Sequence, residues 1–281
     1  MAQTNSLPRL PFDIQSFYEI RTKGLFYVDK TDLVYDLVQS GKYVFLSRPR
    51  RFGKSLLCDT LRCYFEGRKE LFEGLKIMGM ETEWLQHPVI RLDMSGINST
   101  VAGLASRLNA TFGLYEKQYG LEPLTETTEL ALSPNFGVRF ERLIMEAYNQ
   151  TGQQVVVLID EYDRPLQQTW NTPEHEPTRV LYRSVLEMLK PLGDYLRFVF
   201  LTGITKFTQL SLFSSINNLR NISFDGRYAA LCGITEEELH TCLADHIAQL
   251  AQARGWTIEE TYKALKTNYD GYHFSKRNMV D

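Results

Sequence analysis

Four short runs rich in apolar residues set the strongest limit on what this 281-residue chain can fold into: Tyr43–Leu46, Val89–Leu92 (interrupted by Arg91), Val155–Ile159 and Phe198–Leu201. A strand with one wet face alternates apolar and polar residues. Read as non-alternating, these runs predict strands covered on both faces, as in a parallel sheet with helices on each side. A fifth, weaker run is Asn221–Phe224. Helical periodicity fills the intervals. Leu56, Leu57, Leu61, Tyr64 and Phe65 form one apolar face. Phe136, Phe140, Leu143, Ile144 and Ala147 form a second, with Gly152 placed to end that helix. Val180, Leu181, Val185, Met188 and Leu189 form a third ahead of Gly193. Strand–helix alternation predicts an α/β fold with right-handed crossovers.

The first apolar run feeds Ser47-Arg-Pro-Arg-Arg-Phe-Gly-Lys-Ser55, which opens the next helix. In that context the segment reads as a phosphate loop (Walker A), with backbone N–H groups of the loop and helix start directed at phosphate oxygens. Gly53 permits close approach, Lys54 reaches the β- and γ-phosphates, and Ser55 offers a hydroxyl to Mg²⁺. The expected nucleotide-binding set is Arg48, Pro49, Arg50, Arg51, Phe52, Gly53, Lys54, Ser55 and Leu56. The pattern G-x-x-x-x-G-K-[ST] places glycine where this chain has Arg48, and Pro49 is left to stiffen the loop. The plainer reading is a basic surface turn. It leaves Arg48, Arg50, Arg51 and Lys54 repelling one another with no anion among them.

The third run ends on two carboxylates, Asp160 and Glu161 (Walker B), which a parallel sheet delivers to its carboxyl edge, where such sheets place ligands. Asp160 is expected to hold Mg²⁺ and Glu161 to act as general base on the attacking water. A buried strand followed by a solvated acidic turn is the plainer reading of this motif alone. The fourth run leads into Thr202-Gly-Ile-Thr-Lys206. Thr202 is the candidate sensor of the γ-phosphate, with Thr205 and Lys206 behind it, against a simple polar strand end with a glycine turn.

Composition narrows the remaining classes. The net charge of -3 gives no support for a broad nucleic-acid or acidic-membrane surface. Cys58, Cys63, Cys232 and Cys242 form no C-x-x-C pair, and the five histidines are scattered, so neither zinc nor a disulfide framework is expected. A reduced, cytoplasmic protein is the simplest expectation. The start of the chain lacks a signal-peptide pattern, and no apolar run is long enough to cross a bilayer. After Phe224 the pattern turns helical: Thr235-Glu-Glu-Glu reads as a capping box, and Ile258–Leu265 as a further helix. The expected organisation is an N-terminal segment over 1–30 packed on the core, a nucleotide-binding core over 31–225, and a helical lid or subdomain over 226–281, cut before a further domain.

Taken together, Tyr27-Val-Asp-Lys-Thr31, Arg48–Leu57, Val157-Leu-Ile-Asp-Glu-Tyr-Asp163, Thr202-Gly-Ile-Thr-Lys-Phe207, Leu212-Phe213, Asn217-Asn218 and Tyr269-Asp-Gly-Tyr-His-Phe274 resemble the bacterial AAA-ATPase-like domain family. The resemblance runs from about Leu7 to Phe274. Many of that family carry Arg at the first loop glycine. The resemblance implies a three-layer α/β/α P-loop core with sheet order 5-1-4-3-2, ATP or ADP and Mg²⁺ as ligands, and in many relatives a C-terminal nuclease-like domain of the PD-(D/E)XK class. None of the twelve lysines here has Asp or Glu two residues earlier, so the (D/E)-x-K half of such a site is absent. Nucleic acid is therefore expected as a partner only through a domain beyond this chain.

Two function classes remain open. One is an ATP-hydrolysing switch or motor. The other is a nucleotide-gated binding module with negligible turnover, regulating a nuclease-like domain or a partner. Glu161 favours the first. No acceptor signature supports a phosphotransferase, and the sequence is compatible with an oligomer. Asp29-Lys-Thr31 reads as a helix cap ahead of a nucleotide contact, and Tyr269–Phe274 as a packed structural turn ahead of a binding site. Arg220 and Arg227 read as surface residues ahead of a charge for the γ-phosphate.

Overall fold

The apolar runs pair into one five-stranded sheet in the computed structural model, which describes residues 7–122, 136–204, 219–272, 274 and 275. Strand β1 is Tyr43–Ser47, β2 Val89–Asp93, β3 Val155–Asp160, β4 Leu196–Gly203 and β5 Arg220–Asn221. Every pairing is parallel, and the order is β2-β3-β4-β1-β5. Counted from the β5 edge, the same sheet reads 5-1-4-3-2. All six residues of β3 are buried, which is why that run carries no alternation.

Helices cover both faces. The helices are α1 (Phe17–Thr22), α2 (Thr31–Gln39), α3 (Lys54–Phe65), α4 (Val101–Gln118), α5 (Phe136–Thr151), α6 (Arg164–Thr169), α7 (His175–Leu186), α8 (Glu236–His240), α9 (Ala244–Arg254) and α10 (Ile258–Tyr269). One core joins Phe45, Val157, Ile159 and Leu201 of the sheet to α4, α5 and α7 through Leu104, Phe140, Leu143 and Val185. The other joins Val44, Leu46, Leu158 and Phe200 to α2 and α3 through Leu37, Leu57, Cys58 and Leu61. The result is three layers, with β3 and β4 central and buried from both sides.

Two expectations are corrected. The fifth run does not extend over Asn221–Phe224. Only Arg220 and Asn221 pair with β1, and the Asp225 N–H then donates to the Ile222 carbonyl, turning the chain out of the sheet and leaving Phe224 exposed. The face assigned to α7 is also rotated. Val180 is 58% exposed, whereas Tyr182, Val185, Leu186 and Leu189 are buried. Position 180 lies two residues, or about 200°, from 182, which puts it on the opposite side of the helix.

The chain before β1 and the helices after β5 meet beside the start of α3. The Ser16 hydroxyl donates to Asp59 of α3 at 3.1 Å, and Phe17 is buried in the α3-side core. Asp29 caps α2, accepting from the Thr31 N–H at 2.9 Å and also from the Lys76 N–H at 2.8 Å. Lys30 pairs with Glu238 of α8 at 2.6 Å. The expected capping box forms at Thr235 with Glu238, and a second joins Thr257 to Glu260. Among the described residues no helix is long and apolar enough to cross a membrane. Thr205, Lys206, Phe207, Leu212, Phe213, Asn217, Asn218, His273 and residues 276–281 lie outside the described residues.

Candidate functional site

The loop between β1 and α3 is built on left-handed backbone. Arg51 has φ +67° and Gly53, the residue capping α3, has φ +80°. A glycine takes that conformation without steric penalty, which is the local reason for Gly53. Leu57 makes the first return bond, to the Gly53 carbonyl at 2.9 Å, so the N–H groups of the first helical turn face the loop without intrahelical partners. Lys54 is buried, and its ammonium donates to the Pro49 carbonyl at 2.9 Å across the loop. Burial lowers its pKa, while Asp160 and Glu161 pull it back upward. Arg50 and Arg51 are exposed.

Arg48 opens this loop but does not point its charge into it. The guanidinium is buried and donates to the carbonyls of Ser47, Ser223 and Tyr228 at 3.0, 2.7 and 3.0 Å. Burial pushes its pKa down to about 10. Its backbone N–H binds the Gly203 carbonyl at 3.1 Å, tying the loop's first residue to the end of β4. Arginine at this position thus serves the join between β1, β4 and the segment after β5.

Side chains at Arg91, Asp93, Asp160 and Thr202 all project toward α3, because each is an even number of residues from a neighbour in the α3-side core or on that face. Asp160 is 2% exposed, and Ser55 lies close enough to lower its pKa, so the two residues assigned to Mg²⁺ are neighbours. Burial raises its pKa, opposed by Ser55, Arg91 and Lys54. Glu161 follows with φ +52°, in the left-handed region that side chains other than glycine rarely adopt. The turn is held by the Tyr162 N–H on the Thr202 carbonyl at 2.9 Å and the Arg164 N–H on the Glu161 carbonyl at 2.9 Å. Such strain costs about 1–3 kcal/mol and collects at functional sites. Burial, then Asp160, raises the Glu161 carboxyl above the ordinary range. Thr202 is fully buried, and its hydroxyl takes no hydrogen bond from the described residues.

Three contributors escaped the sequence reading. Asp93 ends β2 in register with Asp160, and the signal was present: a strand-like run ending in a carboxylate, as in β3. Arg91 lies 3.5 Å from Asp160 and 3.3 Å from Asp59, linking the buried carboxylate to α3. Asp163 accepts from the Ile204 N–H at 2.9 Å and so joins the turn after β3 to the end of β4. Arg220 and Arg227 both engage Asp225.

A cavity of about 630 Å³ adjoins the loop on the flank without the carboxylates. Its walls come from three distant segments: Phe26 and Val28 before α2, Phe52 and Leu56 at the loop and α3, and Ile234 and Ile247 after β5. No single motif encodes it.

Among the described residues no group of three or more His, Cys, Asp or Glu could hold a metal. One buried carboxylate beside one hydroxyl does suit Mg²⁺, which keeps several waters and takes substrate phosphates as further ligands. These hard oxygen donors fit that ion.

The family described as "Predicted AAA-ATPase" matches residues 11–213 of this chain. An "Uncharacterized protein in vnfD 5'region" from Azotobacter chroococcum mcd 1 is 36% identical over 268 residues, covering 92% of this chain and 50% of the relative. The chain therefore spans about half the length of that curated relative.

Proposed function

Because the chain belongs to the AAA-ATPase-like family, we propose that it binds ATP at the β1–α3 loop and hydrolyses it with Mg²⁺, using the free energy to switch the conformation of the helices after β5. The observation that carries this reading is the meeting of Ser55, at the start of α3, with the buried Asp160 at the end of β3, next to the strained Glu161. The loop N–H groups and Lys54 take the phosphates. Ser55 and Asp160 hold Mg²⁺, whose charge offsets the negative charge on the transferring phosphoryl group. Glu161 accepts a proton from water as its oxygen bonds to the γ-phosphorus and the bond to the β–γ bridging oxygen breaks. Its raised pKa brings it closer to the pH at which it works. Thr202 hydrogen-bonds the γ-phosphate with its hydroxyl. The nucleoside rests in the adjoining cavity, whose size suits a base and ribose.

Steady-state phosphate release tests this reading. Wild-type protein turns over Mg-ATP, and Glu161→Gln retains nucleotide binding but loses about 10²-fold or more in rate. A wild-type rate in Glu161→Gln removes Glu161 as the base. Tight binding without turnover in the wild type favours a second reading, a nucleotide-gated module acting on a partner or on a further domain. Arg91 beside Asp160 is the observation on that side, because it supplies a fixed positive charge next to the proposed Mg²⁺ ligand.

A further inference from the structure

Tyr269–Phe274 read from sequence as a structural turn, but its aromatic residues close on the phosphate loop. Phe52 sits between the left-handed Arg51 and Gly53, a backbone that its surroundings must hold. The Phe52 carbonyl accepts from the Gly233 N–H at 3.0 Å, and a Cβ at Gly233 would lie 3.0 Å from the Phe52 ring. Tyr272 meets that ring edge-on with centroids 4.8 Å apart, and Phe274 does so at 5.5 Å. The two tail rings are parallel to within 9°. Phe274 also lies 4.1 Å under the guanidinium of Arg48. One ring more than two hundred residues away in sequence therefore touches both the residue that opens the loop and the residue at its tip. Tyr272 stays 49% exposed.

We propose that Tyr272 and Phe274 are positioning residues for the phosphate loop, forming an aromatic clasp through which nucleotide occupancy and the docking of the segment after α10 control each other. The proposal rests on the nucleotide-binding reading above. Coupling between two sites is reciprocal: if the docked clasp favours the nucleotide-ready loop, bound nucleotide tightens the clasp by the same factor.

Calorimetric titration of Mg-ATP into the 281-residue chain and its variants tests the first half. Phe274→Ala and Tyr272→Ala are expected to weaken affinity about tenfold, with Phe274→Tyr restoring it. Hydrogen exchange of backbone amides over 270–275 tests the second half. Exchange slows on adding Mg-ATP to wild type, and the slowing is lost in Phe52→Ala. Wild-type affinity in both folded alanine variants overturns the proposal, as does exchange that ignores nucleotide. Should Phe274→Ala fail to fold, the half-exposed Tyr272→Ala decides alone. Failure of the wild type to bind nucleotide overturns the phosphate-loop reading itself and the clasp with it, a result distinct from a wild type that binds and variants that match it.

Discussion

The Thr202 hydroxyl is buried at the end of β4 and takes no hydrogen bond from the described residues. A buried polar group without a partner is a cost to the free protein, on the order of 1–3 kcal/mol. Thr202→Val keeps the shape and removes that cost. The variant should be as stable as wild type or slightly more so in urea denaturation. On the proposed role, its phosphate release should fall about 10²-fold, as when one donor to a developing charge is removed. A large loss of stability with unchanged turnover would show that the hydroxyl serves the fold. At this scale the sequence was informative about residue type and less so about direction. Lys54, Ser55 and Asp160 lie close together, whereas the Arg48 side chain turns away into backbone carbonyls that belong to residues 175 and 180 positions later. No local pattern carries that information.

Among the elements, β3 and β4 were legible because both faces are covered, which made Val155–Ile159 and Phe198–Leu201 apolar throughout. Strand β5 was not, because two paired residues leave almost no pattern. Helix α4 buries Leu104, Leu108 and Phe112 among small and polar residues, a stripe too thin to stand out. The join between β3 and β4 also escaped notice, although Gly203 marks it. A Cβ there would lie 2.6 Å from Asp163 Oδ1 and from the Tyr162 ring, both buried. Gly203→Ala should therefore destabilise the protein by about 1–3 kcal/mol through overpacking, read as a lower urea midpoint. Because Asp163 also binds the Ile204 N–H, the same change should disturb the Glu161 turn and slow phosphate release. Unchanged stability and turnover would mean that this seam is loose.

At the scale of the whole molecule, the loop, the two carboxylates and the cavity come together only because the sheet order places β4 beside β1 and β3 next to β4, and the segments before β1 and after β5 fold beside the loop. Assembly leaves an electrostatic signature. Burial raises the Asp160 carboxyl, so ionising it costs more in the folded chain than in the unfolded one. Its contribution to stability is present below the unfolded carboxylate pKa and is lost as pH rises through the raised, folded value. Between those limits Asp160→Asn, which cannot ionise, should show a flatter decline in the urea midpoint of the nucleotide-free protein than wild type. Parallel pH profiles would deny the burial. The claim on which everything else rests is that phosphate binds at the β1–α3 loop. Calorimetric titration of Mg-ATP into wild type and Lys54→Ala tests it most directly. The account predicts saturable binding to the wild type, weakened by about 30-fold or more in the variant because a buried charged contact is removed. Equal affinity in a folded Lys54→Ala would contradict it.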